Sequence, residues 1–147
     1  MEAKVHAISI SEKKGMRKEN VESALLKVDF GIVGDAHAAK WHRQVSLLAK
    51  ESIKKMQDLG LSVDSGDFAE NITTAGIELV TLPIGTILKV GGEVTLRISQ
   101  IGKECHDKCA IYYQAGDCVM PREGVFAEVI TGGSIRPGDK IEVTTND

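Results

Sequence analysis

Residues 86–101 read T-I-L-K-V-G-G-E-V-T-L-R-I-S-Q-I, and they set the class of fold. Two apolar arms, Thr86 to Val90 and Glu93 to Ile101, flank Gly91-Gly92. A glycine pair between β-branched arms is a two-residue hairpin signal, because glycine reaches the positive φ of such turns at no steric cost. In the second arm Val94, Leu96 and Ile98 alternate with Glu93, Thr95, Arg97 and Ser99. A period of two buries one face and wets the other, so this arm predicts a half-buried strand.

The rest of the chain repeats that pattern in short pieces. Downstream, Gly124 to Ile130 predicts a strand, Gly132-Gly133 and Arg136 to Asp139 predict turns, and Lys140 to Thr144 predicts a closing strand with Ile141 and Val143 inward. Upstream, the chain reads as β from Ile77, with apolar Leu79 to Leu82. Residues 4–11 and Val45 to Leu48 also predict strands, as does the segment from Ala24 to Phe30. Residues 64–76, rich in turn formers, read as irregular. Between about residues 49 and 59 the period changes. Ile53, Met56 and Leu59 fall on one helical face, and Gly60 is placed to end the helix. Many short strands, fifteen glycines and one principal helix describe a single mainly β domain over 1–147, a barrel or sandwich with sharp corners.

Composition narrows the function. Apolar residues are 42 % and charged residues 27 % of the chain, ordinary for a globular domain. No apolar run approaches the length of a membrane span, and residues 1–11 lack the apolar core of a secretion signal. With three cysteines, an odd number, this fits a reducing cytoplasm. A net charge of −3 argues against nucleic acid as a partner. The basic residues Lys4, Lys13, Lys14, Arg17 and Lys18 gather within the first twenty positions, a cluster suited to a phosphate-bearing ligand or to a solvated loop.

The chemistry-bearing residues concentrate in residues 102–124, G-K-E-C-H-D-K-C-A-I-Y-Y-Q-A-G-D-C-V-M-P-R-E-G. Cys105, Cys109 and Cys118 all lie here, with His106 and both tyrosines. Thiolates ligate soft metals and carry sulfur. Three readings stand: small buried hydrophobes, a structural zinc site with a spacing unlike the common paired one, or a reactive or metal-ligating thiol. Lys103, Lys108 and His106 favour a thiolate, whereas Glu104 and Asp107 oppose it. Earlier in the chain, G-D-A-H-A-A-K-W-H-R (34–43) packs His37, Trp41, His42 and Arg43 between two apolar runs, the composition of a ligand rim. The planar fork of Arg43 suits a phosphate or carboxylate, or a surface ion pair. Asn71 and the Thr73/Thr74 pair either bond a polar ligand or turn the chain.

The order of motifs resembles the MOSC domain, named after the C-terminal domain of molybdenum cofactor sulfurase. The motifs are G-D-A-H near Asp35, R-Q-V-S-L-L from Arg43, G-D-F-A-E-N-I-T-T-A-G from Gly66, L-P-I-G-T from Leu82, the cysteine window, G-V-F-A-E-V-I-T-G-G from Gly124 and the final P-G-D-K-I. The resemblance spans nearly the whole chain and is to stand-alone bacterial-type members. It implies a closed β-barrel with few helices and binding of the molybdenum cofactor (molybdopterin), a pterin dithiolene with a phosphate and a molybdenum centre. It implies a cysteine that carries sulfane sulfur or ligates molybdenum, placed on Cys109 with Cys105 as the near alternative. Cofactor contacts would fall on Asp35, His37, Arg43, Asn71 and, from the basic cluster, Lys14, with Arg43, Asn71 and Cys109 facing one cavity. These 147 residues hold no pyridoxal-phosphate desulfurase domain, so cysteine desulfuration is not implied. A sulfur transferase or molybdenum-dependent catalyst, a carrier handing the cofactor to an apo-enzyme, and a redox enzyme with a separate electron-transfer partner all remain open. The partners implied are a sulfur-donating desulfurase or a molybdoenzyme.

Overall fold

The computed structural model describes residues 3–13, 17–102 and 123–144. Among the described residues, eleven strands and one α-helix follow in chain order: β1 (Lys4–Ile10), β2 (Glu19–Val21), β3 (Ala24–Lys27), β4 (Gly31–Ile32), β5 (Val45–Ala49), α1 (Lys50–Asp58), β6 (Ile72–Ala75), β7 (Ile87–Val90), β8 (Val94–Ile101), β9 (Val125–Thr131), β10 (Gly133–Ile135) and β11 (Ile141–Thr144). They form an eight-stranded sheet, β11-β7-β8-β9-β5-β6-β1-β2, and a three-stranded sheet, β10-β3-β4. Every pairing is antiparallel except β5–β6, which is parallel, with Leu47 opposite Ile72. A parallel pair needs a crossover connection, and α1 supplies part of it.

The expected closed barrel is not formed. The large sheet curls until β11 approaches β1, where Val5 N–H donates to Asp139 O and Ile141 N–H to Ala3 O, at 2.8 and 2.9 Å. Only an isolated bridge, Lys4 opposite Lys140, spans the gap. The reason is competition for one edge. β6 takes one side of β1, and on the other side β2 already occupies Ile8 to Ile10. β11 meets only the start of β1, at Lys4, so among the described residues the sheet stays open.

The apolar pattern explains both layers of core. Ile8, Leu47, Ile72, Leu88, Leu96 and Ile98 are almost completely buried in the main cluster inside the curl. A second cluster, with Leu48, Ile53, Met56, Phe68 and Phe126, lies under α1. All five residues of β5 are therefore buried, one face in each cluster, as expected for a strand covered on both sides. The helix matches its expected span to within a residue. Its end is a Schellman motif: Gly60 N–H bonds Gln57 O and Leu61 N–H bonds Met56 O at a glycine with φ +94°.

Several local expectations need correction. The hairpin loop is three residues long, because Val90 pairs with Val94 and Glu93 joins the two glycines in the turn. Leu79–Thr81 is a 3-10 turn rather than a strand. The stretch read as irregular contains β6, whose β-branched I-T-T run pairs on both sides. Val143 stands 42 % exposed while Ile141 is buried, since β11 is an edge strand.

Candidate functional site

A cleft of about 730 Å³ opens beside the end of β1, with Ser11, Lys13, Arg17, Glu19 and Gly34 among its walls. Next to it lies a buried ion pair. Lys18 Nζ approaches Asp35 Oδ1 at 2.7 Å, and both side chains are fully buried. Lys18 Nζ also donates to Ser11 Oγ at 3.0 Å. Asp35 further accepts from the Ser11 N–H at 3.1 Å and the His37 N–H at 3.0 Å. Burial alone would raise the Asp35 carboxyl. The hydrogen bond and charge of Lys18 and the two backbone donors outweigh it, so the carboxyl titrates below its usual value.

From His37 a continuous set of contacts leads to the cysteine window. His37 Nδ1 lies 3.8 Å from Asp35 Oδ2. The indole Nε1 of Trp41 donates to His37 O at 2.8 Å. The Arg43 guanidinium carbon sits 5.9 Å from the Trp41 ring centre and 5.2 Å from that of Phe126. Arg43 Nε donates to Gln100 Oε1 at 3.1 Å, and the His42 ring Nε2 lies 2.9 Å from the same oxygen. Gln100 Nε2 donates to Gly102 O at 2.7 Å.

Gly102 and Gly124 are the first and last residues of the window. The two are joined by a 2.6 Å backbone hydrogen bond from Gly102 N–H to Gly124 O. Glu123, at the return, is gripped by α1: Ser52 Oγ and Lys55 Nζ donate to its carboxylate at 2.7 and 2.9 Å. The window thus starts and ends at one guarded neck. Cys105, Cys109, Cys118 and Lys14 lie outside the described residues. Among the described residues no group of histidine, cysteine and carboxylate side chains is arranged to hold a metal ion, and no helix is long and apolar enough to cross a membrane.

The structure brings Asp35, His37 and Arg43 together along one line of contacts. Asn71 is placed differently. It is completely buried, and its Oδ1 accepts from Ser46 N–H and Ser46 Oγ at 3.0 and 3.1 Å. Its Nδ2 donates to Ser9 O at 3.1 Å. The amide therefore knits β5 to β1. Its neighbour Glu70 is also fully buried. Desolvation raises its carboxyl, against the opposing bonds from Gly66 N–H and Thr73 Oγ1.

Sequence reading missed Lys18 as the partner of Asp35, and Gln100 and Phe126 as the frame of Arg43. Gln100 stands in a strand whose pairing with β9 shifts between Ile98 and Gln100. A bulge of this kind re-aims a side chain and leaves no mark in composition.

The MOSC domain family model matches residues 34–142. No curated protein matches the chain's sequence. Among solved structures, the YuaD protein from Bacillus subtilis is similar with a TM-score of 0.82 and 17 % identity, over 100 % of this chain and 98 % of that one. YiiM from Escherichia coli is similar with a TM-score of 0.66 and 17 % identity, over 99 % of this chain and 69 % of that one. YiiM from Geobacillus stearothermophilus gives 0.70 and 16 %, over 97 % and 75 %. At such identities these likenesses speak for the fold, while the family match covers the motifs from Gly34 onward: the chain belongs to the MOSC domain family.

Proposed function

We propose that this chain binds the molybdenum cofactor and handles either its sulfur or the cofactor itself. The observation that carries the reading is Arg43. One of its five N–H donors is spent on Gln100, two aromatic rings flank it, and no carboxylate among the described residues pairs with it. A half-buried guanidinium with an unspent fork suits a phosphate oxygen. It stands next to Gly102 through Gln100, and Cys105 follows Gly102 by three residues in the sequence.

In this reading Arg43 holds the anionic end of the ligand, with Lys13 and Arg17 adding positive charge at the neighbouring cleft and Lys14 following Lys13 in the sequence. Asp35 and His37 shape the wall between them. Asn71 frames the site from behind by tying β5 to β1. The thiol of Cys109, or of Cys105, carries a sulfane sulfur or ligates the metal, since a thiolate is suited to both tasks. When bound, the cofactor supplies a thiophilic molybdenum centre and a terminal phosphate. The setting is cytoplasmic, with a desulfurase or a molybdoenzyme as the partner.

Native mass spectrometry with purified molybdopterin and a sulfane-sulfur donor tests this on wild type and the Cys105→Ser and Cys109→Ser variants. The expected result is cofactor retention by wild type, and loss of sulfur loading or of metal in Cys109→Ser. Loss in Cys105→Ser alone moves the role to Cys105. Retention unaffected in both variants leaves a carrier that grips pterin and phosphate, and no retention by wild type refutes the reading.

A further inference from the structure

We propose that Gln100 is a positioning residue that presents Arg43 to an oxyanion at the neck of the cysteine window. A carboxamide offers one acceptor oxygen with two lone pairs and one donor nitrogen. Here both lone pairs and one N–H are used. Gln100 Oε1 accepts from Arg43 Nε and lies within hydrogen-bond distance of His42 Nε2, and Gln100 Nε2 donates to Gly102 O. The bond to the Gly102 carbonyl fixes which way round the amide sits, because a reversed amide would set its oxygen against Gly102 O and its nitrogen against the Arg43 Nε–H.

This arrangement does three things for Arg43. It uses the inner Nε–H and so leaves the outer fork for a ligand. It holds the guanidinium plane from one edge while Phe126 and Trp41 restrict it from the faces. It also adds no negative charge, because an amide, unlike a carboxylate, is neutral, and no carboxylate among the described residues pairs with Arg43. A glutamate at position 100 would keep the acceptor contacts with Arg43 and His42, lose the donation to Gly102 O and cancel the attraction. The chemical class that fits a planar, uncompensated fork is a tetrahedral or planar oxyanion: phosphate, a phosphate monoester, sulfate or carboxylate. The inference deepens the reading above, in which Arg43 grips the anionic end of the ligand, but its test uses none of that ligand.

Trp41 is the chain's single tryptophan and lies against Arg43, so its fluorescence reports on the fork directly. The experiment is a titration with inorganic phosphate at constant ionic strength and fixed pH, on wild type, Gln100→Glu, Gln100→Leu and Arg43→Lys. Thermal unfolding of each variant is recorded alongside. Wild type should show a saturable change in Trp41 emission. Gln100→Glu should keep its melting temperature, the new ion pair with Arg43 offsetting the lost bond to Gly102 O, yet bind phosphate about ten-fold or more weakly, the scale of one charge-assisted hydrogen bond. Gln100→Leu and Arg43→Lys should lose affinity to a similar degree, the first by freeing the guanidinium and the second by removing the fork. A purely structural Gln100 predicts the reverse for the glutamate variant: a lowered melting temperature, from the lost bond to Gly102 O, with phosphate binding intact. No saturable response in wild type overturns the assignment, as does either Gln100 variant binding phosphate like wild type. Phosphate binding that depends on Gln100 without retention of molybdopterin sinks the cofactor reading and leaves this one standing. Molybdopterin retention with phosphate binding indifferent to Gln100 does the reverse.

Discussion

Replacing Lys18 by methionine should destabilise the fold strongly, and in a pH-dependent way that identifies the cause. Methionine keeps most of the side-chain volume and removes the charge. Asp35 would then be a fully buried carboxylate supported by the N–H groups of Ser11 and His37, with the His37 ring Nδ1 3.8 Å from its other oxygen. Breaking a buried pair by removing one partner costs about 3–5 kcal/mol, a large share of the roughly 5–15 kcal/mol that holds a domain together. For a chain of this size that corresponds to a melting temperature lower by about 10 °C or more. The sign with pH follows from linkage. In wild type the Asp35 carboxyl is lowered, so its contribution is present above its ordinary titration range and is lost as pH falls through the lowered value. Without Lys18, burial dominates and the carboxyl is raised. The variant should therefore lose stability as pH rises through and above the ordinary carboxylate range, and its deficit should shrink toward acid pH. Urea unfolding of wild type, Lys18→Met and Lys18→Met/Asp35→Asn at pH 4.5 to 8 measures this, with the double variant recovering part of the loss. A Lys18→Met deficit below about 1 kcal/mol, or one equal at both ends of the pH series, would falsify the argument that the pair is a buried structural tie.

Two further outcomes follow from the loop that packs against Lys18. Glu70 titrates above its usual value because it is buried; its contribution to stability is thus greatest below the ordinary carboxylate range and falls as pH rises through the raised value, and Glu70→Gln should flatten that slope in urea titrations at stepped pH. At Gly66 the backbone has φ +95°, and a Cβ would meet Lys18 O at 2.3 Å, so Gly66→Ala should cost about 2–4 kcal/mol from overlap and strain together. Gly85→Ala is the control: φ is +97° there with nothing within 4 Å, so only strain of about 1 kcal/mol applies, and equal losses at the two sites would rule out the close approach as the reason Gly66 is glycine.

The candidate site was partly legible because some of its chemistry is local. Arg43, Trp41, His37 and Asp35 stand within ten residues of one another, and a short segment dense in polar and aromatic groups is conspicuous whatever surrounds it. The partners that give them roles come from far along the chain. Lys18 reaches Asp35 from 17 residues away, and Gln100 reaches Arg43 from 57 away. Nothing in a polar residue's identity says whether it will be consumed by the frame or left for a ligand. Asn71 and Arg43 looked alike as candidates, yet the amide of Asn71 is spent on Ser46 and Ser9, while among the described residues the fork of Arg43 is not spent.

By itself the sequence determined what periodicity and turn chemistry govern. The alternation of Val94, Leu96 and Ile98, the glycines at the hairpin and the apolar stripe ending at Gly60 specify a mainly β domain with one principal helix, because local sterics and the burial of one face act within a few residues. The ordered motifs carried the family as well. Only the tertiary structure decided whether the large sheet closes. That depends on which strands compete for one edge of β1, where β2 takes Ile8 to Ile10 and leaves β11 a single bridge. Edge occupancy is settled between residues more than a hundred positions apart, and no local pattern encodes it.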